Sequence, residues 1–245
     1  MRKPDLDAIF SGVIGQDYEM LKLICPAAAE MSHLVGQKIA GFQKDLTGHV
    51  LQILELGGGT GITTLAVLTA RDDIQITSVD NEPVMQNQAK KNLAKWIEEG
   101  KLIFSDKDAL TALESLPDQS FEIVASAYTL HNFLDDYRTK VIKEIFRVLK
   151  PGGLLVNGDR YGLDDISEHT RLIQLEVSGY FDVLTKIERY DLLEHWIVHL
   201  FNDESENHVM RETVAINALQ EAGFDDICLS DRDGVNALLT AKRRF

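Results

Sequence analysis

From residue 50 onward the apolar positions fall into short runs separated by longer segments with helical spacing. The runs at 50–55, 74–79, 101–105, 121–126 and 153–157 are rich in Val, Ile, Leu and Phe and read as strands. The segments at 61–70, 83–98, 109–115 and 135–149 repeat their apolar residues at helical intervals. Strands that alternate with helices in this way predict a parallel sheet covered on both faces. Upstream, residues 5–45 read as mostly helical. Asp17 is placed to cap a segment whose apolar positions Met20, Leu21, Leu23 and Ile24 precede Pro26, and Met31, Leu34, Val35, Ile39 and Phe42 follow a second helical pattern. Residues 164–208 interrupt the rhythm with a largely helical insertion. A helix near 209–222 and strands near 226–231 and 236–242 complete the chain, and the short turn Asp231-Arg232-Asp233-Gly234 predicts an antiparallel pair at one sheet edge. The expected architecture is thus a single α/β domain with seven strands. It divides into an N-terminal helical lid (1–45), a core (46–163), a helical cap (164–208) and a C-terminal helix with its strand pair (209–245).

Composition narrows the class. A chain of 245 residues with 44% apolar content has room for a substantial core and reads as a soluble globular protein. No apolar run approaches the roughly 18 residues of a membrane span. Met1-Arg2-Lys3-Pro4-Asp5 lacks the apolar core of a signal peptide, so a cytoplasmic location without a membrane partner is expected. The net charge of −14 argues against nonspecific binding to nucleic acid, although Lys242-Arg243-Arg244 is locally basic. Cys25 and Cys228 follow no metal or redox spacing, and both are expected as reduced, buried thiols.

The candidate chemistry begins at Glu55-Leu56-Gly57-Gly58-Gly59-Thr60-Gly61, where a strand passes through a glycine turn into a helix. Such a turn brings backbone close to a ligand and aims helix N-terminal amides at it. The third glycine comes one residue too early for the dinucleotide fingerprint G-x-G-x-x-G. An acid two residues before the first glycine suits a cationic ligand better than a pyrophosphate, which needs a free helix N-terminus. Asp80 ends the second strand about 20 residues further on, where an acid commonly takes a ribose diol. Asn81 is expected to cap the helix that begins at Pro83. Asp108-Ala109 follows the third strand, with Asp106 as the competing acid. Ser126 ends the fourth strand, at the carboxyl edge where open α/β folds bind ligands.

The E-L-G-G-G-T-G run resembles the first motif of class I S-adenosylmethionine-dependent methyltransferases, and Leu149-Lys150-Pro151-Gly152-Gly153 is similar to a turn frequent in that class. The resemblance implies a Rossmann-like methyltransferase sheet and S-adenosylmethionine as the cofactor. It also implies cofactor contacts from Glu55, Gly57, Gly59, Gly61, Asp80, Asn81 and Ser126, with Asp108 and Ala109 at the adenine. Within the class, Val13 to Tyr18, Asp80 to Met85, Tyr128-Thr129-Leu130 and Glu221-Ala222-Gly223-Phe224 look similar to the carboxy-S-adenosylmethionine synthase branch. That likeness implies N-terminal helices folded over the cofactor, with Tyr18 near its methionine end. The branch holds its extra carboxylate with an arginine, where the register here places Phe201, and Ala127 stands where the branch carries asparagine. These departures point to ordinary methyl transfer onto a small-molecule acceptor.

Methyl transfer is an in-line displacement, for which position and exclusion of water matter most. A base is needed only where the acceptor must lose a proton. Tyr128 and His131 past the fourth strand, and Asp159 and Tyr161 past the fifth, are the candidates for catalysis; His131 also reads as a surface or capping residue, and Asp159 with Arg160 as a structural pair. His195 and His199 lie at i and i+4, but H-W-I-V-H lacks the internal acid of H-E-x-x-H, so pocket-lining or solvated histidines and no metal are expected. Tyr180, Phe181, Tyr190, Trp196 and Phe201 are expected to form the core of the cap, some of them lining an acceptor cavity. An apolar helical insertion also suits a homodimer interface. Other readings of the chain are a carboxy-S-adenosylmethionine synthase-like enzyme, a non-catalytic S-adenosylmethionine-binding protein and a NAD-dependent oxidoreductase.

Overall fold

The computed structural model describes residues 21–43 and 50–244. Residues 21–24 are helical and lead into α1 (Pro26–Ala40). The core then alternates: β1 (Leu51–Leu56), α2 (Ile62–Ala70), β2 (Ile74–Val79), α3 (Pro83–Asn92), α4 (Ala94–Glu98), β3 (Leu102–Ser105), α5 (Ala109–Glu114), β4 (Phe121–Ala127), α6 (Asp135–Val148) and β5 (Leu149–Arg160). The cap is α7 (Ile166–Leu184) and α8 (Tyr190–Asp203), and the chain closes through α9 (Glu212–Ala222), β6 (Phe224–Asp233) and β7 (Asn236–Arg243). The sheet has seven strands in the order β3-β2-β1-β4-β5-β7-β6. β7 runs antiparallel between β5 and β6, and the other neighbours are parallel. The fold class expected from the sequence is the one observed.

Both faces of the sheet are buried, as a parallel sheet requires. Ile53, Ile123, Ala125 and Val156 face a cluster with Val35 and Ile39 of α1 and Leu65 of α2. Leu54, Val124 and Leu155, one residue out of phase, face Leu113, Val141, Ile145 and Leu219 of α5, α6 and α9. The cap has its own smaller core of Tyr180, Leu184, Leu193 and Leu200, joined by Ile24 just before α1.

Some elements differ from the sequence expectation. The expected helix at 83–98 is two helices, parted where Leu93 leaves helical geometry and turns fully into the core beneath Gly61. Glu82, not Asn81, caps α3, its side chain accepting from Val84 N at 3.3 Å. Cys228 is exposed, because it lies on β6, an edge strand whose outer face meets solvent, whereas Cys25 is buried. The expected cap at Asp17 falls outside the described residues. Among the described residues no helix is long and apolar enough to cross a membrane.

The closest helix crossing depends on a missing side chain. A Cβ at Gly36 of α1 would sit 2.7 Å from the Ala66 carbonyl oxygen of α2 and 3.1 Å from its Cβ. Neither backbone can yield without moving a helix off the sheet. Gly36→Ala is therefore expected to destabilise the fold by about 1–3 kcal/mol, the usual cost of overpacking. Urea unfolding checks this; an unchanged midpoint would mean that α1 shifts freely over α2.

Candidate functional site

The site begins where β1 ends. Gly57 N donates to Val79 O at 2.8 Å, which ties the loop to the end of β2. Gly57 has φ +72°, and a Cβ there would overlap Thr129 Oγ1 at 1.9 Å. Gly59 has φ +52° and nothing within 4 Å of the place its Cβ would take, because it borders a cavity. Gly61 starts α2 and packs on Leu93; it is not on the cavity wall. Glu55 also lies away from that wall. It is 1% exposed beneath the loop, where Oε2 accepts from Thr64 Oγ1 at 2.6 Å and Oε1 has no partner. Burial pushes its carboxyl up to about 7, against the lowering effect of Ser78 and Thr64.

The cavity has a volume of about 850 Å³ and lies at the carboxyl edge of the sheet. Gly57, Gly59, Asp80, Asn81, Asp108 and Ala109 line one side. Asp80 Oδ2 accepts from Gly59 N at 2.7 Å, and Oδ1 accepts from Glu82 N at 2.8 Å, so this carboxylate braces the glycine loop against the start of α3. Asp108 is the N-cap of α5. Its Oδ1 accepts from Thr111 N at 3.1 Å and from Tyr137 OH at 2.8 Å, and the hydrogen bonds of Thr111 and then Tyr137 hold the carboxyl down at about 2. Ser126 is fully buried and donates to Leu56 O at 3.2 Å between strands, away from the wall. Tyr18 lies outside the described residues.

These features test the fit of S-adenosylmethionine. Among the described residues of the wall, Asp80, Glu82 and Asp108 are acidic and only Lys107 is basic. That balance suits cationic sulfonium and ammonium groups and opposes a pyrophosphate. The open side of Gly59 lets backbone approach a ligand. The residues present therefore fit this cofactor.

The facing wall is built by the loop after β4 and by the cap. Tyr128 has φ +50°, a left-handed conformation unusual for a non-glycine residue, and its N–H donates to Gly158 O at 2.9 Å. Its hydroxyl donates to Asn236 Oδ1, and burial keeps that hydroxyl's pKa well above the ordinary tyrosine value. Behind it, His131 Nδ1 meets Asp159 Oδ1 at 2.5 Å. Asp159 is wholly buried and also accepts from Leu130 N at 3.0 Å, Arg160 N at 2.9 Å and Asn157 Nδ2 at 3.2 Å. Burial alone would raise its pKa, but His131 and these donors outweigh it and hold the carboxyl low. An ionised Asp159 can only accept, so a hydrogen sits on His131 Nδ1. Arg138, buried in α6, anchors the loop through Leu130 O at 2.9 Å and His208 O at 2.5 Å.

His131 and Asp159 thus come together as a pair, set just behind the cavity wall rather than on it. Tyr161 does not join them. It is 2% exposed in the sheet core, where its hydroxyl accepts from Asn157 Nδ2 at 2.7 Å. Arg160 does not pair with Asp159; its guanidinium donates to Glu176 at 2.7 Å and to Glu204 at 3.1 Å, both in the cap region. From α8, His195, Trp196 and His199 reach the cavity. Tyr180 and Trp196 belong to the cap core as expected, but Phe181, Tyr190 and Phe201 are 47%, 62% and 72% exposed. Phe201 is therefore not beside the cavity, which corrects the register that placed it at a ligand carboxylate.

The residues missed from the sequence are Asp203, Asn236, Arg138 and Tyr137, which hold or face site groups from elements remote in the chain. Only Asp203 carried a signal: it follows His199 at i+4 on one helix.

Known proteins agree with this arrangement. Residues 53–153 match the profile of a methyltransferase domain. Demethylmenaquinone methyltransferase of Leptospira interrogans is 35% identical over 128 residues, covering 52% of this chain and 48% of that protein. The chain spans about half the length of that relative. Carboxy-S-adenosyl-L-methionine synthase of Ruthia magnifica is 23% identical over 207 residues and covers 80% of each chain. In fold, human N-acetylserotonin methyltransferase superposes with a TM-score of 0.60 at 18% identity, covering 100% of this chain and 61% of that one. Sheet order and glycine loop agree with the methyltransferase domain matched over residues 53–153, and the fold is that of solved S-adenosylmethionine-dependent methyltransferases.

Glu55 provides a test of the buried loop. Its folded pKa of about 7 lies above the 4.5 of a free glutamate, so the fold favours the neutral acid. Stability should therefore fall as pH rises from 4.5 through 7, by an order of 3 kcal/mol once the carboxyl is ionised. Glu55→Gln, which is neutral throughout, should remove that loss. Denaturant unfolding of both proteins across this range checks it; parallel pH profiles would mean that Glu55 is ionised in the fold.

Proposed function

We propose that the chain is an enzyme that transfers the methyl group of S-adenosylmethionine to a small-molecule acceptor. One observation carries the reading: a single cavity has the glycine loop, Asp80 and Asp108 on one side and Tyr128 with the cap face His195, Trp196 and His199 on the other. When bound, S-adenosylmethionine supplies an electrophilic methyl carbon on its sulfonium. Asp80 takes the ribose hydroxyls and Asp108 the adenine amine. Tyr128 and Trp196 shape the acceptor side and exclude water. Activation of the acceptor falls to the polar cluster at the inner end of the cavity, where His199 meets Asp203 and the Asp159-oriented His131.

The likeness to carboxy-S-adenosylmethionine synthases covers more of the chain than the likeness to the quinone methyltransferase. Yet no arginine lines the cavity among the described residues, and the buried Arg160 is already held by Glu176 and Glu204. That supports ordinary methyl transfer over carboxy transfer. The net charge of −14 favours a small acceptor over nucleic acid.

Calorimetry should detect binding of S-adenosylmethionine and S-adenosylhomocysteine but not of NAD. Asp80→Ala should weaken that binding at least about tenfold, since a charge-assisted acceptor contributes roughly 1.5–3 kcal/mol. Unchanged affinity in a folded variant would reduce Asp80 to a brace of the glycine loop. Mass spectrometry of ligand released from the purified protein tests the cofactor itself, and recovery of the carboxylated species would overturn the reading as ordinary methyl transfer.

A further inference from the structure

At the inner end of the cavity a buried carboxylate stands without a hydrogen bond. Asp203 is the last residue of α8 and is 6% exposed. Its Oδ1 has no partner. Three nitrogens face its Oδ2, His199 Nε2 at 3.6 Å, His131 Nε2 at 3.8 Å and Arg160 Nε at 4.0 Å, all beyond hydrogen-bonding distance. Buried carboxylates are ordinarily satisfied.

The local charge asks for a cation. Glu176, Asp203 and Glu204 gather around one guanidinium, that of Arg160. His131 commits Nδ1 to Asp159 and turns Nε2 toward Asp203 at 3.8 Å. His169 accepts from Leu163 N on Nδ1 at 3.3 Å and meets Glu204 Oε2 through Nε2 at 2.6 Å.

We propose that His131, His199 and Asp203 form a binding site for one divalent transition-metal ion of the zinc type. Their donor atoms all lie within 4.8 Å of one another. Metal–ligand bonds of about 2.0–2.2 Å would draw the longest edge in by about an ångström. Asp159 serves as the outer carboxylate that fixes the tautomer and orientation of a metal-bound histidine. Two imidazoles select zinc, cobalt or iron over magnesium or calcium. Three protein ligands leave a position open. A small cavity of about 20 Å³ touches all three ligands, and both Tyr128 and His199 border this space and the large cavity.

The role of such an ion rests on the methyl-transfer reading; its binding does not. An acceptor hydroxyl or thiol docked at the open position would lose its proton to solvent more readily. Its electron pair would then form the bond to the methyl carbon while the carbon–sulfur bond of the sulfonium breaks, leaving a neutral thioether.

The test uses the full chain, stripped with a chelator and titrated with Co²⁺. The expected result is saturable binding of one ion per chain, with visible d–d absorption that Zn²⁺ displaces. His199→Ala, at a partly exposed position that should not disturb folding, should weaken binding at least tenfold, as should Asp203→Asn if it folds. His195→Ala, on the cavity wall but outside the trio, should leave binding unchanged. No saturable binding to the folded wild-type protein would overturn the site. Binding indifferent to His199→Ala would overturn it as well. Calorimetry with S-adenosylmethionine on the same sample separates the two readings. Cofactor binding without metal binding defeats only the metal site, and metal binding without cofactor binding defeats only the methyl-transfer reading.

Discussion

The site depends on one buried anion. Asp159, at the end of β5, carries no exposed surface and would be costly to ionise alone. It is affordable because the loop after β4 delivers two backbone amides, Leu130 and His131, and the imidazole of His131 to its oxygens, while Asn157 and the Arg160 amide complete the shell. Removing any of these leaves the buried carboxylate one donor short in the sheet core. The constraint therefore runs both ways: the carboxylate needs the loop, and the loop is held against β5 by the carboxylate. Tyr128 takes its left-handed backbone at the point where the chain leaves β4 to meet this demand.

The cap is joined to the core through the next residue. Arg160 turns away from Asp159 and sends its guanidinium to Glu176 on α7 and to Glu204 just past α8. Burial opposes this charge, but the two carboxylates prevail and keep it firmly protonated. Adjacent residues of one strand thus fasten opposite parts of the site, the β4 loop and the cap. Ile24 adds an apolar contact by entering the cap core from just before α1. This fastening brings the His195–His199 face of α8 to the cavity, while the outer aromatics of the same helices remain in solvent.

Much of this was legible along the chain because it is local. Strand runs, glycine turns and helix spacing come from neighbours in sequence, so the alternating core, the glycine loop and the position of Asp80 could be read directly. Buried strands carry continuous apolar runs whichever neighbour they pair with. The errors fell where burial depends on distant segments. Phe181, Tyr190 and Phe201 have the composition of a core but lie on the outer faces of α7 and α8. Tyr161 follows β5 directly, yet the period of the strand turns it into the sheet core rather than toward the site.

By itself the sequence determined the fold class, the glycine loop and the strand ends that carry Asp80 and Asp108, since each follows from short-range pattern and spacing, whereas Glu55, read as a further contact, is buried beneath the loop. Only the tertiary structure decided which polar groups meet. His131, Asp159, Asp203 and Arg160 come from two strand ends and a cap helix, and no interval in the sequence relates them. Their protonation and pairing are set by burial and by neighbours within a few ångströms, quantities that exist only once the sheet, the loop and the cap have packed together.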